Sequence, residues 1–195
     1  ALLKGEGLRR DKYLDYTCVL LDEAYRVVAT GSCFGSTLRC MAVAPKHRGE
    51  GLMSLVVSHL TEIQALRGNL HLFLYTKPAG APAFTGLGFF EIARVPGLVF
   101  MENRRSGFRD YCAALPRRPE GVKGAVVMNA NPFTLGHRHL VEHAAAACDS
   151  LYLFVLSEEA GPIPAGVRKE LVLRGISHIS GVLVQDTGPY MISSA

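Results

Sequence analysis

Apolar residues in the first half of the chain come in short runs separated by turn residues. Residues 16–21, 26–33 and 36–43 read as three successive strands, with Asp22, Glu23 and Gly35 in the turns, which predicts an antiparallel meander. The period then lengthens. Leu52, Leu55, Val56, Leu60 and Ile63 recur at helical spacing, so residues 52–66 predict an amphipathic helix entered from the third strand through the turn Arg48-Gly49-Glu50-Gly51. Residues 70–75 predict a further strand, and Ala83, Phe84, Leu87, Gly88 and Phe89 a short helix and turn. Around residues 115–121 two prolines, two arginines and a glycine interrupt the apolar pattern, which places a boundary there and predicts domains at residues 1–115 and 116–195. Beyond it, residues 124–128 read as an interior strand and residues 136–147, rich in alanine, as the helix that follows. Arg168 precedes Lys169-Glu-Leu-Val-Leu173 on another predicted helix.

Composition bounds the class. Of 195 residues, 49% are hydrophobic and 19% charged, the balance of a globular protein able to bury a core. No apolar run is long enough to span a bilayer and the opening residues lack a signal-peptide pattern, so the expectation is a cytoplasmic protein without a membrane partner. The five cysteines Cys18, Cys33, Cys40, Cys112 and Cys148 are odd in number and form no C-x-x-C pair, which predicts reduced thiols. The net charge of +4 arises before the boundary, where 14 Lys and Arg stand against 10 Asp and Glu; after it the count is 7 against 7. Such a bias suits an anionic ligand and is too weak for a nucleic-acid partner.

The segment from Met128 to Glu142 carries the chemistry. It joins strand to helix through Asn129-Ala-Asn131-Pro132-Phe133-Thr134-Leu-Gly136-His137. A helix N-terminus offers unpaired N–H groups and the positive end of a dipole, which together hold a phosphate. Thr134 and His137 add side-chain donors, Gly136 permits close backbone approach, and Pro132 fixes the direction in which the chain leaves the strand. Asn129 and Asn131 sit at the strand end, where an open parallel sheet binds ligands, and Asn131 is suited to ordering the turn. His139 and His143 share a helix face, but no Cys or acidic ligand completes a set with His137, so no metal site is predicted from protein residues.

Asn-Pro-Phe-Thr-x-Gly-His resembles the (His/Thr)-x-Gly-His signature of HIGH-type nucleotidyltransferases. The wider segment from Val127 to Leu140, with Cys148-Asp149, Leu151-Tyr-Leu-Phe-Val155 and Arg168-x-x-Leu-Val-Leu-x-Gly175, resembles the citrate lyase ligase family. That resemblance implies an ATP- and Mg²⁺-dependent ligase. It would activate acetate as acetyl-adenylate and acetylate the thiol of the CoA-like prosthetic group on the citrate lyase acyl carrier protein, releasing AMP and pyrophosphate. It implies catalytic roles for Thr134 and His137, and nucleotide contacts for Met128, Asn129, Asn131, Pro132, Phe133, Gly136 and Arg168.

The first part resembles a GNAT acetyltransferase fold, through Arg48-x-x-Gly51 after a strand and Phe84-x-x-Leu-Gly-Phe89 near the end. The resemblance implies that Val43, Arg48, Gly49 and Gly51 cradle the CoA-like arm, with Met53 standing where the family pattern has a small residue. The fold expected for the whole is α/β: a GNAT-like mixed sheet, then a partial parallel, Rossmann-like nucleotidyltransferase sheet. Ile192-Ser-Ser-Ala195 does not match the family's second phosphate motif, and few residues precede the first strand, so a truncated chain is expected. Two other functions stay open: an acetyl-CoA-dependent GNAT acetyltransferase, and a noncatalytic fragment that binds CoA or the carrier protein.

Overall fold

Strands β1 (Tyr16–Leu21), β2 (Val27–Phe34) and β3 (Thr37–Val43) form the expected antiparallel meander. The structure, a computed structural model, describes residues 2–118, 120–158 and 162–191; Ile192-Ser-Ser-Ala195 lies outside them. Six of the eight residues of β2 are buried, because helix α2 (Leu52–Leu66) lies across it. Gly31 makes that approach possible: a Cβ there would stand 2.4 Å from Val56 Cγ1 and 2.9 Å from Leu60 Cδ1. The end of α2 is pinned by the fully buried Gln64, whose amide donates to Gly35 O at 2.7 Å and whose oxygen accepts from Asn69 at 2.8 Å.

Strand β4 (Phe73–Thr76) runs parallel to β3 but pairs with it only at Thr37↔Phe73 and Leu38↔Leu74. A 3-10 turn and the short helix α3 (Ala81–Gly86) follow, then a hairpin of β5 (Phe90–Val95) and β6 (Leu98–Glu102). Among the described residues the sheet order is β1-β2-β3-β4-β6-β5. The hairpin was not predicted; β6 is slotted between β4 and the edge strand β5. The core of this unit gathers Leu38, Leu60, Leu74, Phe84, Phe89, Val99 and Met101. A short helix α1 (Leu2–Gly5) precedes the sheet.

The chain falls into two compact units that divide between Gly107 and Phe108. Helix α4 (Gly107–Ala114) occupies the interval between that division and the composition break at residues 115–121. In the second unit β7 (Lys123–Met128), β8 (Ser150–Val155) and β9 (Val182–Asp186) are parallel, in that order, linked by α5 (Leu135–Ala146) and α6 (Ala165–Gly175). Strands joined by crossover helices bring their carboxyl ends to one edge of the sheet. Val141 and Val172 from the helices meet Leu151, Leu153 and Val155 of β8 in its core. Gly124 lets the end of α5 close on β7, since a Cβ there would lie 2.9 Å from Cys148 Sγ. A mixed sheet followed by a separate parallel sheet is the α/β arrangement expected. Among the described residues no helix is long and apolar enough to cross a membrane.

Candidate functional site

At the carboxyl edge of the parallel sheet the turn after β7 leads into α5. Thr134 is the N-cap, extended at φ −120° and ψ 171°, and it forms a capping box with His137 at N3. The Thr134 backbone N–H donates to His137 Nδ1 at 3.1 Å, so Nδ1 is an acceptor. The Thr134 hydroxyl lies 2.8 Å from the same nitrogen and therefore donates to it, while its oxygen accepts the His137 backbone N–H at 3.5 Å. One consistent network follows, and it leaves the ring proton on Nε2. His137 is half-buried. Its ring stacks on Phe133, with centroids 5.7 Å apart and planes at 24°. Phe133 in turn lies against Gly175 of α6, where a Cβ would come within 2.4 Å of its ring.

The capping box thus does two things. It satisfies orphan donors at the helix start, and by occupying Nδ1 as an acceptor it leaves Nε2 as the donor of a ring carried on the first turn of α5, at the positive end of the helix dipole. Gly136 and Pro132 are exposed in the same turn; the Asn131–Pro132 peptide is cis. Among the described residues the buried carboxamide oxygen of Asn131 has no hydrogen-bond donor, a group that a ligand N–H or O–H would satisfy. Met128, by contrast, is a core residue, and its carbonyl accepts the Leu156 N–H at 3.1 Å.

Arg168 is 1% exposed, the largest fully buried side chain among the described residues. Its Nε donates to Ile163 O at 3.0 Å, Nη1 to Asn129 O at 2.7 Å and Asn129 Oδ1 at 2.6 Å, and Nη2 to Glu158 O. The resemblance implies a nucleotide contact for Arg168; in the structure four of its N–H groups are bonded to oxygens of the loops around it. Two residues at this edge that the sequence reading did not single out are Ser157 and Thr187. The fully buried Thr187 accepts the Ser157 N–H at 3.0 Å through Oγ1, and Gly188 N–H donates to Ser157 Oγ at 3.0 Å. A polar Ser or Thr directly after an apolar strand was the available signal. Among the described residues no group of three or more His, Cys, Asp or Glu could hold a metal ion.

In the first unit, a cavity of about 690 Å³ opens where β3 and β4 part beyond Leu38 and Leu74. Cys40, Met41, Ala42 and Val43 line it from β3, Tyr75 and Thr76 from β4. Arg48, Gly49 and Gly51 stand at its rim, as does Met53. Gly49 and Gly51 have φ of 88° and 76°, the left-handed region, and a Cβ on either would touch nothing within 4 Å. Backbone conformation rather than space calls for glycine there. The cations at the rim are engaged: the Glu6 carboxylate accepts from Arg48 Nη2, and Lys77 Nζ donates to Glu6 O at 3.0 Å. Burial pushes the Cys40 thiol above its ordinary range, so it stays protonated at neutral pH.

The family described as citrate lyase ligase C-terminal domain matches residues 123–195, which include the whole capping-box turn. A citrate (pro-3S)-lyase ligase of Klebsiella pneumoniae is 41% identical over 180 residues, 91% of this chain and 53% of that protein. Those of Escherichia coli and Haemophilus influenzae are 38% and 33% identical, over 87% and 99% of this chain and 49% and 58% of theirs. Among solved structures, an acyl-CoA N-acyltransferase of Klebsiella pneumoniae aligns over 44% of this chain and 69% of its own at 21% identity and a TM-score of 0.41. An acetyltransferase of Bacillus cereus aligns over 52% and 83% at 19% identity and a TM-score of 0.40. By sequence this chain is a relative of the citrate lyase ligases, and it spans about half the length of those it matches.

Proposed function

We propose that the chain is the adenylating part of an ATP-dependent acid–thiol ligase, with acetate as the acid and the CoA-like arm of the citrate lyase acyl carrier protein as the thiol. In the first step a carboxylate oxygen of acetate bonds to the α-phosphorus and the bond to pyrophosphate breaks. In the second the arm's thiol bonds to the acyl carbon, AMP leaves and the thiol proton passes to solvent. His137 Nε2–H and the N-terminus of α5 would stabilise the charge that builds on the phosphoryl oxygens in the first step, with Thr134 holding the imidazole in its donating tautomer. Pro132, Phe133 and Gly136 would wall that site, and MgATP would bring the cation.

The observation that carries the reading is the His137 network: a ring whose Nδ1 accepts from Thr134 and whose Nε2 is left as the donor, on the first turn of a helix at the carboxyl edge of a parallel sheet, in the segment matched by the ligase family. The cavity between β3 and β4 supports a second role for the first unit, in which Val43, Arg48, Gly49 and Gly51 receive the CoA-like arm. ATP–pyrophosphate exchange, with and without acetate and Mg²⁺, tests the adenylation step on this chain and on a version extended to the length of its relatives. Acetate-dependent exchange is expected in the extended protein. Acetyl transfer from acetyl-CoA with no exchange would replace this reading by an acetyltransferase, and neither activity by a binding module.

A further inference from the structure

The strongest unused feature is the buried cation at the sheet's carboxyl edge. An arginine with 1% exposure loses nearly all of its hydration, and burial of that kind is found where the guanidinium is fully engaged. Among the described residues the hydrogen bonds of Arg168 use four of its five N–H groups, and each goes to an uncharged oxygen: Ile163 O, Asn129 O, Asn129 Oδ1 and Glu158 O. Among the described residues it has no carboxylate within salt-bridge distance. These oxygens belong to the segments that leave β7 and β8 and to the loop before α6, so one planar fork ties together the loops that frame the nucleotide turn.

The consequence lies in Asn129. Its carboxamide oxygen is taken by Arg168 at 2.6 Å, which fixes the amide orientation and turns Nδ2 away from the guanidinium. Asn129 is exposed, and its two Nδ2 N–H donors have no partner among the described residues. We infer that Arg168 is a positioning residue for the nucleotide site, holding Asn129 so that its amide N–H groups face a phosphate oxygen of the triphosphate. This rests on the nucleotide reading given above and changes the division of labour within it: Asn129 makes the contact and Arg168 acts through it. Lysine could not substitute, because one ammonium cannot bond three separate loops in a plane.

The test is a double-mutant cycle in the protein at the length of its relatives, reading KM for ATP and kcat of acetate-dependent exchange beside thermal stability. Asn129→Ala is expected to raise KM for ATP about tenfold, the loss of one hydrogen bond to a charged group, with little change in melting temperature. Arg168→Lys is expected to raise KM for ATP at least as much, and adding Asn129→Ala to it should cost nothing further. An unchanged KM in Asn129→Ala, or full additivity of the two changes, would overturn the inference. Should the wild-type protein lack exchange, the nucleotide reading itself falls. The pairing then remains open to a second readout, the NMR signal of the Asn129 side-chain amide on titration with pyrophosphate. A response present in the wild type and lost in Arg168→Lys upholds the positioning role; no response in the wild type overturns it.

Discussion

Replacing His137 with asparagine separates the two tasks that the ring performs. Asn Oδ1 occupies the position of His Nδ1 along the side chain, so it can still accept the Thr134 N–H and hydroxyl now 3.1 and 2.8 Å from the ring nitrogen. The capping box survives, whereas the distal Nε2–H donor has no counterpart. A lost N-cap network costs about 1 kcal/mol, and a lost donor to transition-state charge about 100- to 1,000-fold in kcat. His137→Asn should therefore stay within about 0.5 kcal/mol of wild type on denaturant unfolding while exchange falls by about two to three orders of magnitude. His137→Ala should show the same loss of exchange and, in addition, about 1 kcal/mol of lost stability. Two assays on the same variants, urea unfolding and ATP–pyrophosphate exchange in the extended protein, decide the matter. Exchange within a few-fold of wild type in His137→Asn, or exchange that tracks stability in the two variants, would rule out a catalytic role for the ring.

Other outcomes are accessible. Gly31→Ala puts a methyl group 2.4 Å from Val56 Cγ1, an overpacking that should cost about 1–3 kcal/mol in the first unit, read by urea denaturation. Glu6→Gln frees Arg48 at the cavity rim; since exposed ion pairs are worth up to about 1 kcal/mol, CoA affinity measured by calorimetry should rise by up to roughly fivefold, and an unchanged or weaker affinity would remove Glu6 as a competitor. Burial, reinforced by the Asp15 carboxylate, pushes the Cys33 thiol up to about 11. At pH 8 an alkylating reagent should label the exposed Cys112 and spare Cys33 until the protein is unfolded. Because that thiol titrates higher in the folded than in the unfolded chain, its contribution to stability is complete below the unfolded value. It should be lost as pH rises from there through about 11, which pH-dependent urea unfolding of the wild type against Cys33→Ala would reveal.

Much of this was readable where local pattern and tertiary role agree. The short runs between turn residues through β1 to β3, the apolar stripe of α2 and the run before Met128 each mark one element, and their boundaries fall within a residue or so of expectation. The β5–β6 hairpin was missed because β5 is an edge strand with mostly exposed residues; Pro96-Gly97 between the two strands was the signal for its turn. The predicted strand at 70–75 starts later, at Phe73. Leu70 and Leu72 bond instead to the side chain of Asn103, a partner 31 or more residues away that no local pattern reveals. At the turn after β7, Thr134 and His137 were picked out as side-chain donors by the strand-turn-helix pattern and the motif; that they bond to each other in a capping box is what the structure adds. Arg168 was legible as a candidate but not in its setting: its burial depends on carbonyls from three separate loops, which come together only in the folded unit.

In the proposed first step an oxygen of acetate bonds to the α-phosphorus of ATP at the His137 turn. Incubating the extended protein with ATP, Mg²⁺, carrier protein and acetate labelled with ¹⁸O, then weighing the AMP by mass spectrometry, examines that bond itself. One labelled oxygen should appear in the AMP for each thioester formed. Unlabelled AMP, or label carried into inorganic phosphate with ADP as the nucleotide product, would contradict adenylation and the role assigned to His137.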